Sequence, residues 1–230
     1  MGILRINRKQ LQFFFNARFA SVIYADSMPR SGSTAVFNAL RLILAENAGG
    51  DLQSSWVRDA RHLPRASVYL IKIHGMNTID AWRASKIIYS YRDPRVALVS
   101  LMRKFDIEPQ IEVVRNWLRD FAFAEQHADL LLRYETMRDD MPAAIRAMGA
   151  AIGQDVDGEY LAKQVDILSN KARTPRTTTP SVRDNVTLLY NDHVTNTKDD
   201  DWRTVLPANL NTQIVDEFGP WLKRHGYPLR

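Results

Sequence analysis

Hydrophobic positions along the chain alternate between two periods. Short runs rich in β-branched and aromatic residues at Ser21–Ala25, Val68–Gly75, Ile87–Tyr91 and Leu130–Arg133 read as four strands. Between them the spacing turns helical. Val36, Phe37, Leu40, Ile43 and Leu44 share one helix face, and Val96–Met102 opens another helix with Pro94 near its start. Ile111–Gln126 directs Val113, Val114, Trp117, Leu118 and Phe121 towards a core. Asp140 caps a helix that carries Pro142 in its first turn and ends at Gly153. Tyr160–Leu168 and Gln213–His225 give two more helices, and Trp82–Ser85 reads as a short connector. This alternation predicts an α/β fold, with a central, mostly parallel sheet flanked by helices and a single domain over residues 1–230. Residues 172–201 break the pattern: polar and poor in apolar anchors, they read as one long loop.

Composition narrows the functional classes. The chain has 230 residues and no cysteine, which excludes disulfides, thiolate metal sites and cysteine nucleophiles and is compatible with a reducing compartment; a cytoplasmic location is expected. No apolar run approaches a membrane span, because Leu11–Phe15 is too short and is followed by Asn16 and Arg18. Thirty-one Lys and Arg outweigh 26 Asp and Glu, but no long basic block accompanies the excess. A ligand bearing phosphates explains this charge at least as well as nucleic acid, which is not expected as a partner.

Three segments carry candidate chemistry. Pro29-Arg30-Ser31-Gly32-Ser33-Thr34 sits between the first strand and its helix. Converging backbone N–H groups, the helix dipole and a glycine at close approach make such a turn an anion cradle. It is not a kinase-type loop, since Gly32 stands where G-x-x-x-x-G-K-[ST] requires lysine. Its simpler reading is a set of serines capping a helix. In the second segment, Arg92 leaves a strand end at Arg92-Asp93-Pro94, with Ser100 eight residues on; a guanidinium fork plus a hydroxyl suits a second phosphate, and pairing of Arg92 with a carboxylate is the plainer alternative. In the third, Lys72 and His74 are two apart, so on a strand both point to one face, at the edge where open α/β sheets bind ligands.

Together these segments resemble the sulfotransferases that use 3′-phosphoadenosine 5′-phosphosulfate (PAPS) as donor and release adenosine 3′,5′-bisphosphate (PAP). The loop matches that family's P-[KR]-S-G-[TS]-[TS], Lys72-Ile73-His74 its K-x-H strand, and Arg92-Asp93-Pro94 with Ser100 its 3′-phosphate motif. Tyr134-Glu135-Thr136-Met137 is similar to its Y-E-D-L element, Asp201-Trp202-Arg203 to G-D-W-K, and Gly226-Tyr227 to its terminal G-Y. The order holds from about Ser21 to the end. The resemblance implies a P-loop-like sulfotransferase fold and in-line sulfuryl transfer from PAPS to a hydroxyl or, second, an amine. It implies His74 as general base, with Lys72 and Arg30 stabilising the leaving phosphate. It further implies donor contacts from Arg30, Ser31, Gly32, Ser33, Thr34, Arg92, Ser100, Tyr134, Thr197 and Lys198, no metal, and a lid at 172–201. The chain departs from the family in three places. Ala35 replaces an adenine-stacking tryptophan, Leu168-Ser169-Asn170 lacks the usual phenylalanine, and His193–Lys198 lacks the basic triplet around the 3′-phosphate.

Two other classes stay open on the sequence: a P-loop-type small-molecule or nucleotide kinase, which magnesium-dependent ATP turnover would favour, and a non-catalytic nucleotide-binding module, which donor binding without transfer would favour. The expected acceptor is a small molecule, glycan or lipid. Trp56, Met76, Trp82 and Phe105 are candidates for its apolar surface or for the core. The oligomeric state is open.

Overall fold

A computed structural model describes residues 13, 16–47, 51–173, 183–190 and 198–230. Its five strands are β1 (Ser21–Ser27), β2 (Leu52–Trp56), β3 (Val68–Lys72), β4 (Lys86–Tyr91) and β5 (Leu130–Arg133). They form one parallel sheet in the order β2-β3-β1-β4-β5. Central β1 is buried on both faces. Ile23 and Ala25 join Leu70, Ile88 and Leu132 in one layer, while Val22 and Tyr24 join Tyr69, Ile71 and Ile87 in the other. Such double burial is why the run reads as continuously apolar.

The helices in chain order are α1 (Ser33–Asn47), α2 (Thr78–Arg83), α3 (Pro94–Phe105), α4 (Ile111–His127) and α5 (Tyr134–Asp139). They continue with α6 (Met141–Ala151), α7 (Gly158–Arg173), α8 (Trp202–Val205) and α9 (Ala208–Arg224). Asp140 caps α6 through the Ala143 N–H at 2.9 Å, and Asp93 caps α3 through the Arg95 N–H at 2.9 Å. Among the described residues no helix is long and apolar enough to cross a membrane.

Five expectations are corrected. A fifth strand, β2, was not foreseen, because Leu-Gln-Ser-Ser-Trp is too polar for an apolar run; it is an edge strand that buries Ser55 alone. Trp82–Ser85 is not simply a connector, since Asn77 caps α2 through the Ile79 and Asp80 N–H groups and the helix runs to Arg83. The helix at Tyr160–Leu168 spans Gly158–Arg173, and the last helix begins five residues early and carries Pro220 inside it. Residues 172–201 are not one structureless loop: α7 takes the first two positions, residues 183–190 fold into a compact turn, and residues 174–182 and 191–197 lie outside the described residues.

Consecutive strands β3 and β4 lie on opposite sides of β1. Such a reversal of winding opens a crevice beyond the carboxyl ends of the strands. The segments that follow β1, β3, β4 and β5 all emerge there.

Candidate active site

The loop after β1 is shaped by two residues in left-handed conformation, Arg30 (φ +67°) and Gly32 (φ +78°). At Gly32 a Cβ would come within 2.6 Å of Met137 Cε and 2.9 Å of the Tyr134 ring, so both the conformation and the space call for glycine. Helix α1 starts at Ser33 with no acidic residue in its first turn, which leaves the positive end of its dipole uncompensated. Arg30 Nε donates to Ser100 Oγ at 3.0 Å, joining the first loop to α3. The Ser31 hydroxyl is turned into the sheet, 2.7 Å from Met28 O and 3.0 Å from Ser90 O. Its place in the loop is therefore that of a brace.

Lys72 ends β3, in register with Ala25 on one side and Trp56 on the other. It is 4% exposed, and its Nζ donates to Thr34 Oγ1 while lying 5.7 Å from the Trp56 ring centroid. Burial, assisted by the positive charges of Arg30 and Arg183, pulls its pKa from 10.5 down to about 7. An ammonium held in this way gains strongly from any anion that reaches it.

His74 lies just past the end of β3, where Gly75 (φ +78°) turns the chain. Its Nδ1 is 3.0 Å from the Ser27 carbonyl oxygen and 2.8 Å from Ser27 Oγ. A carbonyl can only accept, so the tautomer with its proton on Nδ1 satisfies that contact and leaves the basic lone pair on Nε2. The ring meets Trp56 edge-on at 5.0 Å. Beneath it, buried Asp26 accepts backbone N–H groups of Ser27 (2.7 Å), Gly75 (3.2 Å) and Met76 (3.4 Å), tying the ends of β1 and β3 together. Burial outweighs those donors and pushes Asp26 up from 3.8 to about 7, with the nearby charge of Asp120 adding to the rise.

Arg92, 4% exposed, leaves β4 with its guanidinium 4.1 Å over the Tyr134 ring. Its Nη2 donates to Asp199 Oδ1 at 3.0 Å, while its buried Nε has no hydrogen-bond partner. Asp93 and Arg95 serve the scaffold. Arg95, fully buried, pairs with Asp93 at 2.7 Å, lies 3.8 Å over the Trp202 ring and donates to Pro228 O at 2.6 Å. Tyr227 donates to Glu135 Oε2 at 3.1 Å. The Asp-Trp-Arg and Gly-Tyr segments thus close the fold around Arg95 and Glu135.

One open cavity of about 730 Å³ is bordered by Arg30, Gly32, Ser33, Thr34, Lys72, His74, Arg92, Ser100 and Tyr134 together. Lys198 does not border it; that residue is exposed, with its backbone N–H on Asp201 at 2.9 Å. Thr197 lies outside the described residues. Of the candidate acceptor residues, Trp56 and Phe105 border the cavity, Met76 is core, and Trp82 stands 84% exposed on α2. The sequence reading missed Arg138, Arg183, Arg58 and the turn at 183–190, all on the cavity wall. In that turn Asp184 accepts the Val186 and Thr187 N–H groups, Leu188 packs into the core, and Leu189 and Tyr190 face the cavity. Among the described residues no group of three or more His, Asp or Glu is placed to hold a metal ion.

No protein-family model matches the sequence, and a search of curated proteins returns no match. Solved structures do match. A mouse sulfotransferase, SULT7A1, complexed with PAP superposes with a TM-score of 0.60 at 16% identity, over 92% of this chain and 89% of that one. The chain has the sulfotransferase fold. Retinol dehydratase matches in two crystal structures at 14% identity, one with androsterone and PAP (TM-score 0.57, 94% and 85% coverage) and one with retinol and PAP (0.60, 94% and 86%). Within this fold the described cavity opens beyond the carboxyl ends of the sheet, as the strand order requires.

Proposed function

We propose that the protein is a PAPS-dependent sulfotransferase acting on a hydroxyl-bearing small molecule, glycan or lipid. The observation that carries this reading is the convergence of Arg30, Gly32, Ser33, Thr34, Lys72, His74, Arg92, Ser100 and Tyr134 on one cavity, although they come from the segments that follow four different strands. The residues fit the donor on physical grounds as well. A buried ammonium and an uncompensated helix N-terminus favour the 5′-phosphosulfate. A buried guanidinium whose Nε makes no hydrogen bond favours a second phosphate. Ala35, Met137, Met141, Ala162, Val165 and Leu188 belong to one apolar cluster and border the cavity, giving the adenine an aliphatic wall in place of stacked aromatics.

In this reading His74 Nε2 takes the acceptor's hydroxyl proton as the new S–O bond forms. Lys72 and Arg30 neutralise the charge that builds on the phosphate oxygen as the old S–O bond breaks. Leu189 and Tyr190, on the turn at 183–190, roof the reacting groups and exclude water.

Thermal denaturation with PAP, AMP and ATP tests the donor assignment, and incubation with labelled PAPS and a panel of hydroxyl compounds tests transfer. PAP at about 100 Kd adds on the order of 2.7 kcal/mol of stability, well beyond the effect of AMP or ATP at the same concentration. Equal shifts from PAP and AMP would remove the second phosphate site. Magnesium-dependent ATP turnover would establish the kinase reading instead.

A further inference from the structure

Arg92 and Arg138 grip a single carboxylate from two sides. Asp199 Oδ1 accepts from Arg92 Nη2 at 3.0 Å, and Asp199 Oδ2 accepts from Arg138 Nη1 at 2.5 Å. Each oxygen has its own guanidinium, an arrangement made for an oxyanion. Two features set it apart from an ordinary surface ion pair. Arg92 is fixed by burial and by the Tyr134 ring beneath it, and its buried Nε makes no hydrogen bond, only a loose ion pair with Glu135 Oε1 at 3.9 Å. Asp199 meets Arg92 only at Nη2 and does not satisfy that donor, whereas a phosphate held between the same two guanidinium groups has further oxygens to offer it. Both arginines also border the large cavity, while Asp199 reaches them from a separate hollow beside Asp93 and Glu135.

Resting on the sulfotransferase reading, we propose that Arg138 is the second arginine of the donor's 3′-phosphate site, and that Asp199 is a stand-in anion which holds the clamp until the phosphate displaces it. The basic triplet absent from residues 193–198 is then replaced from α5, where the four-residue spacing of Tyr134 and Arg138 puts both on one helix face. Displacement is undemanding: Asp199 is 44% exposed and returns to water, and the two guanidinium groups exchange a single negative charge for a phosphate bearing up to two. A nucleotide lacking the 3′-phosphate leaves the Asp199 pairs closed, so the clamp selects for the bisphosphate.

Isothermal calorimetry of PAP and AMP binding to the wild type, Arg138→Gln and Asp199→Asn is the test. Arg138→Gln is expected to weaken PAP about tenfold or more and leave AMP within twofold. Asp199→Asn is expected to tighten PAP by about three- to tenfold, again without effect on AMP. Wild-type protein that fails to prefer PAP over AMP overturns the donor reading and this inference with it. Wild-type protein that prefers PAP, with both variants binding like it, overturns this inference alone. Weakening of PAP and AMP by the same factor in Arg138→Gln overturns it too, since that is the mark of a general structural effect.

Discussion

The buried ammonium of Lys72 makes the ligand-free protein less stable than it need be, and Lys72→Met measures by how much. The folded protein holds this pKa near 7, against 10.5 for an unburied lysine. A folded-state value below the unfolded one means that the unfolded chain binds the proton more tightly. The penalty is therefore fully present below pH 7 and fades as pH rises from 7 to 10.5. At about 1.4 kcal/mol per unit, the shift corresponds to on the order of 4 kcal/mol at pH 7. Methionine keeps the four-atom stem of the side chain without the charged nitrogen, but it gives up the hydrogen bond to Thr34, about 1 kcal/mol. The expected gain is about 3 kcal/mol, or roughly 6–10 °C in Tm for a chain of this size. Differential scanning calorimetry at pH 7 and pH 10.5 reads it directly: the variant melts higher at pH 7, the difference shrinks towards pH 10.5, and sulfuryl transfer is lost. A variant less stable than wild type at pH 7 would refute the reasoning. A gain unchanged at pH 10.5 would refute it as well, because that result assigns the effect to packing and not to charge.

Asp26→Asn tests the opposite sign. The carboxyl group holds its proton more tightly in the folded state, so Asp26 costs nothing below about pH 4 and its penalty grows as pH rises to about 7; the variant, whose amide oxygen still accepts from Ser27 and Gly75, gains about 2–4 kcal/mol over wild type between pH 4 and pH 8 in urea titrations, and parallel curves for the two proteins would contradict the assignment. His74→Ala is expected to lower transfer by on the order of 10²–10⁴ while PAP affinity stays within about twofold; normal turnover with a hydroxyl acceptor would make His74 a packing residue. PAP is expected to slow proteolytic cleavage at residues 183–190, where Leu189 and Tyr190 border the cavity, and equal cleavage rates with and without PAP would take the proposed roofing role from the turn.

The parts of the fold that were legible in the sequence are those where one physical demand dominates. Ser21–Ser27 is buried on both faces and reads as a strand, and the helix after it shows its face through Val36, Phe37 and Leu40. The polar edge strand Leu52–Trp56 was hidden because pairing with β3, not burial, makes it a strand. Local motifs likewise pointed to Arg30, Lys72, His74 and Arg92 as neighbours of one ligand. They were silent about Asp199, 107 residues from Arg92, and about Asp26, whose task of holding two loops in place has no short-range signature. Ser31 shows the reverse case. Its motif marks it for a ligand, yet its hydroxyl is spent on Met28 and Ser90.

Arg30, Thr34, Lys72, His74, Arg92, Ser100, Tyr134 and Arg138 each sit at or just beyond a strand tip, or on the first turns of the helix that follows. The body of the sheet and the outward faces of the helices have only to keep those tips in register, a demand that many combinations of apolar residues meet. Sequence drift in such an architecture is unevenly permitted: positions around the rim answer to chemistry, while the rest answer to volume and periodicity. Superposition over more than nine-tenths of the chain at 14–16% identity is what that division of constraint produces. A search for further proteins of this kind is accordingly better guided by the order and spacing of rim residues than by overall similarity.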